Sequence, residues 1–187
     1  GGRADRRRFT VNDARDRRWM QRAIELGRQA RYWSAPNPPV GCLLVRDDEE
    51  IGAGITQPAG QAHAEVMALN KAGDATGATA YVTLEPCCHQ GQTGPCTSAL
   101  IDAGVSRVVV ALQDPNPQVA GSGSAAVRSA GIEVDIGEGA NQVEADLAGF
   151  LLRMRRGYGR ITLKIAMSLD GRTATASGES QWITGEA

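Results

Sequence analysis

Gln61-Ala62-His63-Ala64-Glu65, followed by Leu84-Glu85-Pro86-Cys87-Cys88-His89 and closed by Gly94-Pro95-Cys96, is the stretch that decides how the rest of the chain is read. One histidine nitrogen and two sulfurs are three soft or borderline metal donors. A glutamate stands two residues after the histidine. Three protein ligands and an open fourth position mark a catalytic zinc, whereas a closed set of four marks a structural one. The open position holds a water whose pKa the metal lowers towards neutrality, and Glu65 is then the carboxylate placed to shuttle its proton. Blander readings stand beside this one. His-x-Glu alone is a common accident. Adjacent cysteines can be buried thiols acting as small hydrophobes. A closed structural zinc can use His63, Cys87, Cys96 and either Cys88 or His89. The joint occurrence of His, Glu, Pro-Cys and a later Pro-Cys favours the open site.

Working outward, residues 62–72 repeat at helical period through Val66, Met67 and Leu69, so His63 and Glu65 fall in a first turn. Two residues apart on an ideal helix are about 200° apart, so the helix alone does not aim both side chains at one point. Residues 78–84 read as a strand. Pro95 is expected at the first helical position of a helix over 96–103. Cys96 then lies in a first turn, where the dipole favours thiolate. Residues 105–112 are a near-continuous apolar strand, the mark of burial on both faces.

Upstream, residues 1–11 read as a disordered arm, and Asn12 or Asp13 can cap a helix running to about Tyr32. Pro36-Asn37-Pro38-Pro39 forbids helix and holds Asn37 in a rigid extended loop. Residues 40–45 are a buried strand, residues 47–50 a turn, and residues 51–56 its hairpin partner. Downstream, Asp114-Pro115-Asn116-Pro117 is a loop, residues 122–130 a small-residue helix, residues 132–136 a strand and residues 141–156 a helix. Strand and helix alternate, which implies a layered α/β sheet. After Tyr158 the character changes: residues 160–169 read as a new strand, and residues 158–187 as the opening of a second domain cut short, or as a strand docked on the first. A segment of about 30 residues does not make a domain.

The chain has 187 residues and a net charge of -1, so no global field attracts polyanions. Ten of the eighteen arginines lie in the first 31 residues. This is read as a solvated helix face and leader rather than a nucleic-acid arm. Cysteines at 42, 87, 88 and 96 do not form a disulfide framework; thiolate ligation implies a reducing compartment. No apolar run reaches membrane-spanning length and the start lacks a signal-peptide core, so the cytoplasm is the expected location.

Zinc nucleobase deaminases carry H-x-E and P-C-x-x-C. The His-x-Glu and Pro-Cys halves match here, but eight residues separate Cys87 from Cys96. The chemistry is attack of an activated water on an electron-poor ring carbon that bears an amino group. Glu65 takes the water's proton and delivers it to the departing nitrogen. Asn37 is a candidate to present its amide to the substrate, against the alternative of a turn residue bonded to its own backbone. Cys87 and Cys88 compete as ligand, because neighbouring side chains usually point apart; Cys87, directly after Pro86, fits the motif.

The run from Thr83 to Cys96, together with residues 113–121 (Gln-Asp-Pro-Asn-Pro-Gln-Val-Ala-Gly) and 163–174 (Leu-Lys-Ile-Ala-Met-Ser-Leu-Asp-Gly-Arg-Thr-Ala), resembles the bifunctional riboflavin-biosynthesis deaminase/reductase family. The resemblance spans about residues 17–187. It implies a three-layer α/β/α cytidine-deaminase-like domain over residues 12–157, followed by the truncated start of a reductase domain at 158–187. It implies zinc on His63, Cys87 and Cys96, with Glu65 as proton donor. The implied reaction is hydrolytic deamination of diaminohydroxyphosphoribosylaminopyrimidine. For the NADPH-dependent reductase half it implies Ala166 and Trp182 at the nucleotide and Ser180 at the substrate. The implied partners are a small phosphorylated pyrimidine and further copies in a homo-oligomer, with neither nucleic acid nor membrane. The chain departs from the family in having Ala62 where proline usually precedes the zinc histidine, and Gln92 in place of the usual arginine. Two rival readings remain: a cytidine- or tRNA-type deaminase, and a non-catalytic zinc-stabilised binding module.

Overall fold

The computed structural model describes residues 12–90, 93–116 and 120–179. The expected arm at 1–11 lies outside the described residues, as do Gln92, Ser180 and Trp182. The described chain runs α1 (Asn12–Gln29), β1 (Gly41–Arg46), β2 (Glu49–Ile55), α2 (Ala64–Ala72), β3 (Thr79–Leu84), α3 (Cys96–Asp102), β4 (Arg107–Leu112), α4 (Ser122–Ser129), β5 (Glu133–Ile136), α5 (Ala140–Asp146) and α6 (Ala148–Arg156), with a single 3₁₀ turn at Ala30–Tyr32.

The five strands form one sheet in the order β2-β1-β3-β4-β5. β1 pairs antiparallel with β2 and β3, and β3, β4 and β5 run parallel. Helices α2, α3 and α4 lie along one face, and α1 and α5 cover the other, which makes the expected three layers. β1, β3 and β4 are apolar on both sides because both faces are covered. Val82, Val108, Val109, Val110, Leu43 and Leu44 are fully buried.

Asp47 and Asp48 both take positive φ, 53° and 64°, the backbone of a two-residue hairpin turn that short polar residues tolerate. The turn is therefore two residues long. Glu49 and Glu50, read as part of it, already pair with Arg46 and Val45. Against the other side of β2, α2 packs so closely that a Cβ on Gly54 would sit 2.1 Å from the Ala64 carbonyl oxygen. Only glycine permits that approach, and it fixes the first turn of α2, where Glu65 stands.

Three further expectations are corrected. The helix over 141–156 is two helices: the backbone turns at Leu147 (φ -95°, ψ 9°), which buries Leu147 against the core and frees α6 to follow its own direction. The strand over 160–169 is not formed; residues 160–179 hold neither helix nor strand. Its alternating residues Ile161, Leu163, Ile165, Met167 and Leu169 are exposed. A strand needs a neighbour for its N–H and C=O groups and a layer for its apolar face, and this segment docks on neither free edge of the sheet, β2 or β5. Pro95 is the N-cap of α3 rather than its first helical residue, a shift of one position.

Beneath α1 a polar cluster is buried in the apolar layer. Arg107 donates to both carboxylate oxygens of Asp16 at 2.9 and 2.7 Å, Tyr81 donates its hydroxyl to Asp16 at 2.7 Å, and Arg107 also meets Asp135 at 2.6 Å. Burial alone would raise the Asp16 carboxyl, but the Arg107 and Tyr81 hydrogen bonds outweigh it and hold the pKa below 3.8. A lowered folded-state pKa stabilises the fold above the ordinary aspartate range and ceases to do so as pH falls through the folded value. Asp16→Asn is expected to cost about 3 kcal/mol at neutral pH, the lower end for a broken buried pair because Asp135 still holds Arg107. Denaturant titration at neutral pH and again near pH 3 checks this. The gap between wild type and variant should narrow on acidification, and an undiminished gap at low pH would count against the ion pair.

Candidate active site

The carboxyl ends of β3 and β4, the start of β1 and the end of β2 meet at one edge of the sheet, where ligands bind in open α/β sheets. His63 is the N-cap of α2, with extended backbone (φ -75°, ψ 166°). Its side chain therefore leaves the helical screw, and the 200° separation expected of ideal helical residues does not apply. That solves the aiming problem posed by His-x-Glu.

Cys87 lies in the loop after β3, and Cys96 is the first residue of α3. The Nδ1 atom of His63 is 3.5 Å from Cys87 Sγ and 3.3 Å from Cys96 Sγ. All three donor atoms lie within 4.8 Å of one another. Tetrahedral zinc with Zn–S near 2.3 Å and Zn–N near 2.0–2.1 Å puts nitrogen and sulfur about 3.6 Å apart, so the donor set fits that ion. Cys88 is outside the cluster. The first turn of α3 is turned onto Cys87: Cys96 N–H donates to its Sγ at 3.4 Å and Thr97 N–H to its carbonyl at 3.1 Å. Hydrogen bonding from the Cys96 thiol, aided by His63 and the Cys96 N–H, pulls Cys87 down to about 4, while Cys96 is pushed up. Hydrogen bonding to Cys87 in turn raises His63.

Glu65 is 4% exposed. Burial pushes its carboxyl up to about 7, and the Cys87 charge adds to this; its own backbone N–H, the His63 charge and the Cys96 thiol pull the other way. A carboxyl poised near neutrality can both accept and return a proton.

These groups open onto a cavity of about 310 Å³. His63, Glu65 and Cys87 line its floor, and Asn37, His89, Asp114 and Asn116 supply polar groups around it. Asn37 lines the cavity, but the loop turns rather than extends there, closed by the Asn37 N–H to the Ser34 carbonyl at 2.9 Å. The Thr56 and Thr83 hydroxyls accept the Val40 and Gly41 N–H groups at 3.0 and 3.1 Å and anchor the loop's exit. Among the lining residues that escaped the sequence reading are Phe150, Met154 and Glu85. Phe150 and Met154 of α6 look like core residues by period, and only the turn at Leu147 carries them over the cavity. Glu85 is the third; an acid at the end of an apolar strand is a signal that it needs buried donors. Ala166 is in the coil beyond α6, and Ser180 and Trp182 fall outside the described residues.

A three-layer sheet whose edge holds His, two Cys and a buried glutamate over a small cavity defines a zinc-dependent deaminase scaffold, and the chain belongs to the cytidine and deoxycytidylate deaminase zinc-binding family, whose model matches residues 13–112. Within that family its relatives are RibD proteins. It is 56% identical over 170 residues to the riboflavin biosynthesis protein RibD of Escherichia coli, covering 90% of this chain and 46% of that one. The structure of Acinetobacter baumannii RibD (form 2) superposes with a TM-score of 0.86 at 54% identity, covering 94% of this chain and 49% of that one. The diaminohydroxyphosphoribosylaminopyrimidine deaminase/5-amino-6-(5-phosphoribosylamino)uracil reductase of Thermotoga maritima superposes with a TM-score of 0.88 at 39% identity, covering 93% and 51%. Residues 160–187 match the RibD C-terminal domain. The chain thus spans about half the length of the curated relatives it matches. No helix among the described residues is long and apolar enough to cross a membrane.

Proposed function

We propose that residues 12–157 form a deaminase domain that converts diaminohydroxyphosphoribosylaminopyrimidine and water into aminophosphoribosylaminouracil and ammonia. The observation that carries this reading is the buried Glu65 carboxyl beside a three-donor cluster that opens on a cavity. His63 Nδ1, Cys87 Sγ and Cys96 Sγ are the atoms that would hold zinc. Zinc bound there supplies a Lewis acid that makes a water nucleophilic near neutral pH. Glu65 takes the proton from that water as the new carbon–oxygen bond forms at the amino-bearing ring carbon. It then returns the proton to the exocyclic nitrogen, so the carbon–nitrogen bond breaks with ammonia as leaving group, and the remaining hydroxyl proton passes to the adjacent ring nitrogen to leave a ring carbonyl.

The polar groups of Asn37, His89, Asp114 and Asn116 match a ring edged with donors and acceptors. Residues 158–187 open a reductase domain in this reading, with Ala166 and Trp182 assigned to NADPH and Ser180 to the ribosyl product by the family resemblance alone. The test is ammonia release from the pyrimidine intermediate, from cytidine and from tRNA, side by side. Turnover of the pyrimidine alone is expected; turnover of cytidine or tRNA at a comparable kcat/KM overturns the substrate assignment.

A further inference from the structure

Glu85 is as buried as Glu65, 4% exposed, but its described hydrogen-bond partners are backbone N–H groups. Ser124 N–H donates to Oε1 at 2.8 Å, and Gly121 and Asp114 N–H donate to Oε2 at 3.0 and 3.2 Å. A buried carboxylate is costly unless its lone pairs are met by donors, and these are charge-assisted bonds. The three donors come from two parts of the fold. Asp114 begins the loop after β4, Gly121 is the N-cap of the eight-residue α4, and Ser124 lies in its first turn. One carboxylate from the β3 loop therefore caps a helix remote in sequence and fixes the loop that leads to it.

That loop is a wall of the cavity. Asp114 and Asn116 both line it, and Asn116 N–H donates to Asp114 Oδ1 at 2.9 Å, so holding the Asp114 backbone holds Asn116 too. On the other side Glu85 is two residues from Cys87. Contact between the two segments is tight. A Cβ on Gly123 would fall 2.1 Å from the Pro86 carbonyl oxygen and 3.2 Å from Glu85 Cγ, so α4 seats against the metal-binding loop only because residue 123 is glycine.

We infer that Glu85 is a positioning residue: its carboxylate locks the Asp114–Asn116 wall in register with the Cys87 loop and so sets how tightly the substrate ring is gripped. This rests on the deaminase reading above for its kinetic consequence, not for its structural one. Proton transfer belongs to Glu65, so losing the clamp acts on binding. Removal of uniform binding raises KM and leaves kcat in place.

Glu85→Gln keeps the shape but turns an amide NH₂ towards backbone N–H donors. The expected result is a KM raised about tenfold or more, the factor carried by a charge-assisted hydrogen bond. The kcat should stay within about threefold and the zinc content unchanged. Amide hydrogen exchange at Asp114, Gly121 and Ser124 should quicken about tenfold or more in the same variant. Unchanged KM and unchanged exchange in the folded, zinc-loaded variant overturn the inference, as does a fall in kcat at constant KM. Should Glu85→Gln not fold, Glu85→Asp carries the test, since it keeps the charge but draws the carboxylate back from the three N–H groups. The same KM-only rise is expected there, and an unchanged KM overturns the inference. A wild-type protein that releases no ammonia would defeat the activity assigned above, while exchange at the three amides still decides the clamp.

Discussion

Glu65→Gln is expected to bind metal as the wild type does and to lose about 10²–10⁴-fold in ammonia release, the range attributable to a positioned general acid–base group. The substitution keeps the volume of a side chain that is 4% exposed, so packing against β2 is preserved. It removes the one group in the cavity floor able to carry a proton both ways. The effect should fall on kcat, because Glu65 acts on a bond being made and a bond being broken rather than on the ring's edges. Metal analysis alongside single-turnover ammonia assays separates the possibilities. Normal zinc with a collapsed kcat supports the role assigned here. A fully active variant removes Glu65 from the mechanism, and a variant stripped of metal shows that the carboxylate holds the site together.

How far the sequence could be read depended on which forces act locally. Period and punctuation are local, so the alternation of strands and helices and a non-helical proline loop around Asn37 were legible, while the three layers came from the family resemblance. The donors were legible because His-x-Glu and Pro-Cys are short-range spacings. Their convergence was not, because it depends on His63 being an N-cap with extended backbone, and hydrophobic period is silent on that. Phe150 and Met154 carry a core-like stripe that became a cavity wall through a single off-helix ψ at Leu147. The role of Glu85 was hidden for a different reason: its partners are backbone N–H groups, which no residue name reveals. The apolar alternation after Arg160 marks strand-forming residues, yet a strand is a property of a sheet, and residues 160–179 pair with neither edge strand, β2 or β5, of the described one.

The competition between the adjacent cysteines yields the second large effect. Cys87→Ser is expected to reduce zinc from about one ion per chain to a trace and to abolish ammonia release, whereas Cys88→Ser should retain both. Position decides between them. Cys87 Sγ lies 3.5 Å from His63 Nδ1, while Cys88 is outside the donor cluster. Electrostatics point the same way, since the first turn of α3 directs the Cys96 N–H at Cys87 Sγ and the thiolate form is the one that binds metal. Serine is the informative replacement because it keeps the size while its hydroxyl does not ionise near neutrality. The Cys87 carbonyl would still receive the Thr97 N–H, so α3 should stay in place and the loss be one of ligation rather than folding. Elemental analysis after dialysis, with thermal melts as the control for folding, reads the outcome. Zinc lost from Cys88→Ser and kept in Cys87→Ser would mean that the loop after Pro86 is turned over relative to this structure, and Glu65 would then face a different donor. Zinc kept in both single variants and lost only in the double would mean that either sulfur can complete the set, and the site would owe its geometry to His63 and Cys96 alone.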